Sequence, residues 1–486
     1  MILTLDLGTS TTKAVVWDAD GPRTVGRAPV GTSFPAAGRA EQDPADWWDA
    51  VVGACAAARA ASPRSFAAVE AVGCAAARQT FVPVTAAGRP LGPALVWSDR
   101  RAAAEAEAMA EGLGGVDDVH TRTGAVLDGA ALVAKVAWLA AHEPDRLAAA
   151  RWLLTPRDLV VWRMTGEVVT DPTMVSAAGL SDATGKPVAE LVAAIGDRLP
   201  PVIPPDAVAG VVAPGPAAEL GLPVGIPVVV GAGDRACEVL GTAASTDRPM
   251  VSWGTTANVS VPVGAFPVPV PAGLVVTGGA SGGWLLEGGL SAAGSFLTWL
   301  STLTGLDAAV LMSRAAASPI GAHGVVALPW LGGARAPWWR DRARGGFLGL
   351  SFEHDAGDLA RAVVESVARE VRRCLVAAGG APARSLALTG ADPPTAPWAE
   401  VLTAVTGLPA VRRRSGQAAS AGAALLVARG IGADYDLERL DPVADTVVPD
   451  GPAVARYAEL WGPADVVADT VVALETAEPG SPGARR

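Results

Sequence analysis

Ile2-Leu3-Thr4-Leu5-Asp6-Leu7-Gly8-Thr9-Ser10-Thr11-Thr12-Lys13-Ala14-Val15-Val16-Trp17-Asp18 opens the chain, and its reading decides the fold. Ile2–Asp6 is an apolar run of strand type. Lys13–Asp18 is a second run, rich in β-branched and aromatic residues. Between them lies a tight bend of glycine and hydroxyl residues, so the segment reads as a hairpin. The tip, Gly8, Thr9, Ser10 and Thr11, offers backbone N–H groups and hydroxyls that suit a phosphate. Asp6, at the end of the first strand, can hold Mg²⁺ directly or through water. An ordinary hairpin would show the same pattern, so the reading needs a second instance. Met250–Trp253 supplies it: a strand, the polar turn Gly254-Thr255-Thr256, and another strand over Ala257–Val261. Two such bends at corresponding places in two halves can face one another across a cleft and grip a nucleotide's phosphates from both sides.

Between and beyond the bends, strands alternate with helices. Asp43 caps a helix whose Trp47, Val51 and Cys55 share one face. Strands are expected over Ala71–Val84 and Ala94–Trp97, and helices over Ala130–Ala141 and Leu147–Thr165. Residues Leu199–Pro227, rich in Pro and Gly, predict loops and short strands. Val228–Val230 is a strand that enters Gly231-Ala232-Gly233-Asp234, followed by a small-residue helix. Asp355 caps a long helix, Ser385–Thr389 is a strand, and Trp398–Thr406 and Ser420–Arg429 are helices. The pattern is α/β, with two domains and a ligand site between them. No GxxxxGK[ST] loop occurs, and no GxGxxG follows the first strand.

The chain has 486 residues, half of them apolar, enough for a large core. Its net charge of −11 argues against nucleic acid or an anionic membrane as partner. Four scattered cysteines, Cys55, Cys74, Cys237 and Cys374, lack metal-ligand spacing and read as buried thiols. No basic leader or cleavage site is visible, and no apolar run reaches the ~18 residues a membrane helix needs. A cytoplasmic protein is expected. Arg412-Arg413-Arg414 reads as a solvated strand edge.

Asp234 ends an apolar strand among glycines, where a ligand can approach the backbone closely. A carboxylate there can take the proton of a hydroxyl that attacks a phosphoryl group, although an Asp capping the next helix would look the same. Further stretches carry a resemblance. Glu41-Gln42-Asp43-Pro44 with Trp47-Trp48, the run from Pro90 through Trp97, Asp99 and Arg100, Ser291-Ala292-Ala293-Gly294, Arg335 with Pro337-Trp338-Trp339, and Gly422-Ala423-Ala424 are similar to motifs of the FGGY carbohydrate kinases, most closely of the xylulokinase type. The resemblance spans about residues 1–431. It implies two ribonuclease-H-like domains of the actin-like ATPase fold with a central cleft, and ATP-dependent phosphorylation of a ketose or polyol hydroxyl with Mg²⁺. It assigns 1–243 to the sugar-binding side, 244–474 to the nucleotide-binding side and 475–486 to a disordered tail.

By that resemblance, Asp234 is the catalytic base and joins Arg78, Gln79, Trp97 and Asp99 at the sugar. Gly8, Thr9, Ser10, Thr11, Lys13, Gly254, Thr255, Thr256, Gly390 and Ala391 meet the nucleotide, and Asp6 meets the metal. The expected partners are the sugar or polyol and ATP, with a homodimer as candidate assembly. Departures from the motifs are specific. Arg78-Gln79 stands where ketose kinases have Met-His, which leaves a glycerol- or tetritol-type kinase open. Ala391, Asp392, Gln417 and Ala334 replace motif residues on the nucleotide side, which leaves open a catalytically weak sugar- or nucleotide-sensing protein of kinase fold.

Overall fold

The computed structural model describes residues 1–193, 195–340, 342–379, 383–390 and 397–476. Ala391 and Asp392, and residues 477–486 of the expected tail, lie outside the described residues; 475 and 476 finish the helix Gly451–Thr476.

The opening hairpin forms as read: β1 (Ile2–Leu7) pairs antiparallel with β2 (Thr11–Asp18), and β3 (Gly21–Pro29) continues the meander. The sheet then turns parallel through β4 (Ala71–Ala76) and β6 (Pro227–Gly233), with β5 (Val208–Val211) antiparallel at the edge, in the order β3-β2-β1-β4-β6-β5. The central strands are buried on both faces, which is why they read as continuous apolar runs.

The second sheet repeats the plan. It consists of β7 (Met250–Trp253), β8 (Ala257–Val263), β9 (Val275–Gly278), β10 (Trp284–Leu290), β11 (Leu386–Gly390), β12 (Ala410–Arg413) and β13 (Val443–Val447). Their order is β9-β10-β8-β7-β11-β12-β13, with β7, β11 and β12 mutually parallel and the outer pairings antiparallel. Removing β9 leaves the arrangement of the first sheet strand for strand. The two hydroxyl-rich bends, β1–β2 and β7–β8, occupy equivalent places.

The helices fill the layers. α1 (Pro44–Ala61) has Asp43 bonded to the amide of Ala45 and lays Trp48, Val51, Cys55 and Ala58 on the first sheet. Further elements are α2 (Leu132–His142), α3 (Pro156–Thr165), α4 (Pro172–Ala177), α5 (Asp234–Gly241), α6 (Ala356–Ala378) and α7 (Ala418–Gly430). α6 starts at an Asp355–Asp358 capping box and buries Val363, Val367 and Val371. α7 comes late in the chain yet packs on β1, β4 and β6 of the first sheet, where Ala421, Ala424 and Val427 join Ile2, Val15 and Trp17. The Trp17 indole donates to Ser420 Oγ at 2.9 Å. α5 crosses α7 at glycine distance: a Cβ on Gly422 would sit 2.0 Å from the Cys237 carbonyl oxygen.

Two expected elements are broken. Residues 71–84 do not form one strand: Gln79 takes φ +60°, and Val82–Val84 pairs with Trp152–Leu154 in a separate ladder. That ladder also interrupts the helix expected over Leu147–Thr165, because Thr155 makes a capping box with Asp158 and restarts it as α3. The run Arg412–Arg414 is not a solvated edge either. β12 lies between β11 and β13, and Arg412 pairs with Asp445 and Arg413 with Glu438. All four cysteines are buried, and burial pushes the thiols of Cys55 and Cys74 up to about 12. No single helix among the described residues is long and apolar enough to cross a membrane.

Candidate active site

Asp234 is the first residue of α5, at the end of β6, where the chain leaves the sheet toward the cleft. Its Oδ1 accepts the Arg235 amide at 2.7 Å and faces Arg78 Nε at 3.5 Å. Two cavities meet beside it. One, of about 280 Å³, is walled by Thr9, Arg78, Gln79, Trp97, Asn258 and Glu287 among others. The second, of about 1040 Å³, runs along Asp6, Thr11, Lys13, Glu238, the bend Gly254–Thr256, Gly390 and Arg412–Arg414. Asp234, Arg235 and Thr256 line both.

The smaller cavity is set by a strained turn and an ion pair. Arg78 follows β4. Its Nη1 and Nη2 donate to the two carboxylate oxygens of Glu287 on β10, each at 2.7 Å, and Thr277 also donates to Glu287. Burial alone would raise the Glu287 carboxyl, but the charge of Arg78 and its hydrogen bonds outweigh that and hold it below the usual range. Gln79, in the left-handed region, donates from Nε2 to the Ala177 carbonyl at 2.7 Å. Trp339, with φ +49°, also lines the cavity. Two non-glycine residues in that sparse region at one pocket match the clustering of backbone strain at functional sites. Trp97 donates from its indole to Thr9 Oγ1 at 2.8 Å. Beneath the turn, fully buried Lys135 on α2 donates to the carbonyls of Gln79 at 2.8 Å and Val96 at 3.0 Å.

The larger cavity carries the residues expected at phosphate. Lys13 Nζ stands 3.3 Å from Asp6 Oδ2. Burial raises the Asp6 carboxyl, Lys13 lowers it, nearby Asp234 raises it again, and the net shift is upward. Two carboxylates that repel each other beside a cavity are a setting a divalent cation relieves. Among the described residues no cluster of three or more metal-ligating side chains exists.

The expected residues therefore divide. Asp6, Thr11, Lys13, Gly254, Thr255 and Gly390 line the larger cavity, and Thr256 lines both. Arg78, Gln79 and Trp97 line the smaller one, together with Thr9, which was expected at phosphate. Gly8 lines a small side pocket next to Thr9, and exposed Ser10 lines none of these. Asp99 lines neither of the two cavities: it is fully buried, accepting from the Ala40 amide at 2.7 Å and from Arg101. Its charge is spent on the loop that carries Trp97. Ala391 lies outside the described residues. Sequence reading missed Glu287, Arg235 and Glu238. A lone acid in the otherwise apolar strand Trp284–Leu290 was the available signal for Glu287.

The pattern of the FGGY family of carbohydrate kinases matches twice, its N-terminal domain at residues 1–241 and its C-terminal domain at 250–431. A xylulose kinase of Streptomyces rubiginosus is 30% identical over 433 residues, 87% of this chain and 86% of that one. A glycerol kinase of Thermus brockianus is 33% identical over 457 residues, 89% of this chain and 90% of that one. The crystal structure of a xylulose kinase from Rhodospirillum rubrum superposes with a TM-score of 0.86 at 28% identity, covering 98% of this chain and 99% of that one.

Proposed function

Because the chain belongs to the FGGY family of carbohydrate kinases, and is thus an alcohol-acceptor phosphotransferase, we propose that it moves the γ-phosphate of ATP to a hydroxyl of a ketose or polyol seated between Trp97, Arg78 and Glu287. The observation that carries this reading is the position of Asp234, on the wall common to an acceptor-sized cavity and a larger one ringed by phosphate-type bends.

The residues divide the work as follows. The acceptor lies against Trp97 with its hydroxyls toward Gln79, Asn258 and the Arg78–Glu287 pair. Asp234 accepts the proton of the reacting hydroxyl. Thr11, Thr255 and Thr256 orient phosphate oxygens, and Lys13 offsets their charge. Asp6 would hold Mg²⁺, which when bound neutralises charge on the triphosphate. The relatives divide between xylulose and glycerol kinases, so the acceptor is stated as a class. Catalysis here is positioning and electrostatics, in two units taken as 1–243 and 244–474.

The test is ADP release over a panel of pentuloses, hexuloses, glycerol and tetritols, with Asp234→Ala run beside the wild type. Acceptor-dependent release that falls at least ~10²-fold in the variant is expected, the usual scale for a general base. No release with any acceptor, or full turnover in the variant, refutes the reading.

A further inference from the structure

The proposed reaction gives the junction between the cavities a specific task. The oxygen–phosphorus bond to the acceptor forms there as the bond between the γ-phosphorus and its bridging oxygen breaks. The electron pair of the broken bond leaves on ADP, and the acceptor's proton goes to Asp234. While both bonds are partial, negative charge spreads over the three remaining oxygens of the moving group, and a positive group at that point lowers the barrier.

Among the described residues, only Asp234, Arg235 and Thr256 line both cavities. Asp234 is an acid and Thr256 is neutral, which leaves one cation. Two other nearby cations are committed elsewhere. Arg78 spends both Nη groups on Glu287 and turns Nε to Asp234. Lys13 lines the nucleotide side alone, against Asp6.

Arg235 is built differently. It sits in the first turn of α5, and its Nη1 donates to Glu238 Oε2, three residues on, at 2.6 Å. Among the described residues, Nε and Nη2 have no acceptor, and the side chain keeps about a fifth of its surface open at 22%. A guanidinium held by one nitrogen, with two more in reach of a shared wall, is arranged to meet an incoming anion as a fork. Burial disfavours its charge, but Glu238 and Asp234 outweigh that. Glu238 is itself on the nucleotide-side wall and accepts a contact from Ser252 at 3.3 Å, which fixes the direction from which Arg235 is held.

We propose that Arg235 is a catalytic residue that binds the phosphoryl group in transit, an arginine finger supplied within the chain, with Glu238 as its positioning residue. This rests on the carbohydrate-kinase reading above.

The test measures ADP release with the best acceptor of the panel, for wild type, Arg235→Met, Arg235→Lys and Asp234→Asn, with Mg·ATP binding followed by calorimetry. Arg235→Met is expected to lower kcat by ~10³-fold or more, the scale of arginine fingers, while KM for acceptor and the ATP affinity stay near wild type. Added guanidinium chloride at non-denaturing concentration restores part of the turnover of Arg235→Met and none of that of Asp234→Asn. Arg235→Lys keeps the charge without the fork and falls between. If Arg235→Met does not fold, Arg235→Gln with the same rescue decides. Unchanged kcat, a loss that appears only in ATP affinity, or absence of rescue overturns the proposal. A wild type that phosphorylates no acceptor overturns the carbohydrate-kinase reading as well, so the two failures are told apart.

Discussion

The Arg78–Glu287 pair joins the two sheets inside the acceptor cavity, and breaking it gives a quantitative forecast. Both partners are mostly covered, with side-chain exposures of 15% and 2%, and they share two parallel bonds of 2.7 Å. Removing one member of such a pair strands the other's charge in a poorly solvated place, which costs about 3–5 kcal/mol. Glu287→Ala is therefore expected to lower the unfolding free energy by that amount at neutral pH, read from urea denaturation at constant m-value. The Glu287 carboxyl is held below its usual range, so its contribution is complete above the unfolded pKa and is lost only as pH falls through the lower folded value. Neutral pH is thus the right place to measure. Arg78→Met should cost a comparable amount. The double variant Arg78→Met/Glu287→Ala removes both charges and strands neither, so it should lose less than the two singles added, by about 2–3 kcal/mol. Activity should move too, because Glu287 fixes the Arg78 guanidinium at the wall of the acceptor cavity. A single-variant cost under about 1 kcal/mol, or strict additivity in the cycle, would refute the reasoning.

Three further outcomes are expected. Burial lowers the Lys135 ammonium from 10.5 to about 7; between these values the unfolded chain holds a proton that the folded one has released, so this group's share of stability grows as pH rises, and Lys135→Met should flatten the gain measured between pH 7 and about pH 9. In Gly231→Ala, a Cβ would lie 1.7 Å from the Cys74 carbonyl oxygen at φ +76°, so a loss of about 2–5 kcal/mol is expected from overpacking plus left-handed strain, and a urea midpoint equal to wild type would contradict the β4–β6 geometry. Trp97→Phe deletes the indole bond to Thr9, worth about 1 kcal/mol, and should raise KM for the acceptor roughly five-fold with kcat nearly unchanged; an effect on ATP instead would move Trp97 to the other cavity.

Much of the architecture was legible because it is written locally. The alternation in Ile2–Asp18, the glycine and hydroxyl bends at 8–12 and 254–256, and the caps at Asp43 and Asp355 are short-range signals, and each element formed where its cap or bend stood. The breaks were not written that way. Residues 77–80 leave the strand because Gln79 adopts a left-handed backbone that Lys135, far along the chain, helps to hold through the Gln79 carbonyl. The site followed the same division. Asp234 announced itself as an acid among glycines at a strand end. Asp99 looked similar by motif, but its charge is consumed by Arg101 and a backbone amide, which only the folded loop reveals. Glu287 and Arg235 gain their interest from what lies opposite them in space, and spacing along the chain holds no record of that.

Helix α7 has a consequence for how the molecule is made. Its residues 418–430 roof β1, β4 and β6, strands that were synthesised well before it. The leading half thus leaves the ribosome with an apolar floor uncovered and stays so until nearly the whole chain has been translated, an interval in which chaperones would find their substrate. A gene cut near codon 243 would deliver a fragment stuck at that stage, aggregation-prone for want of a helix encoded far downstream.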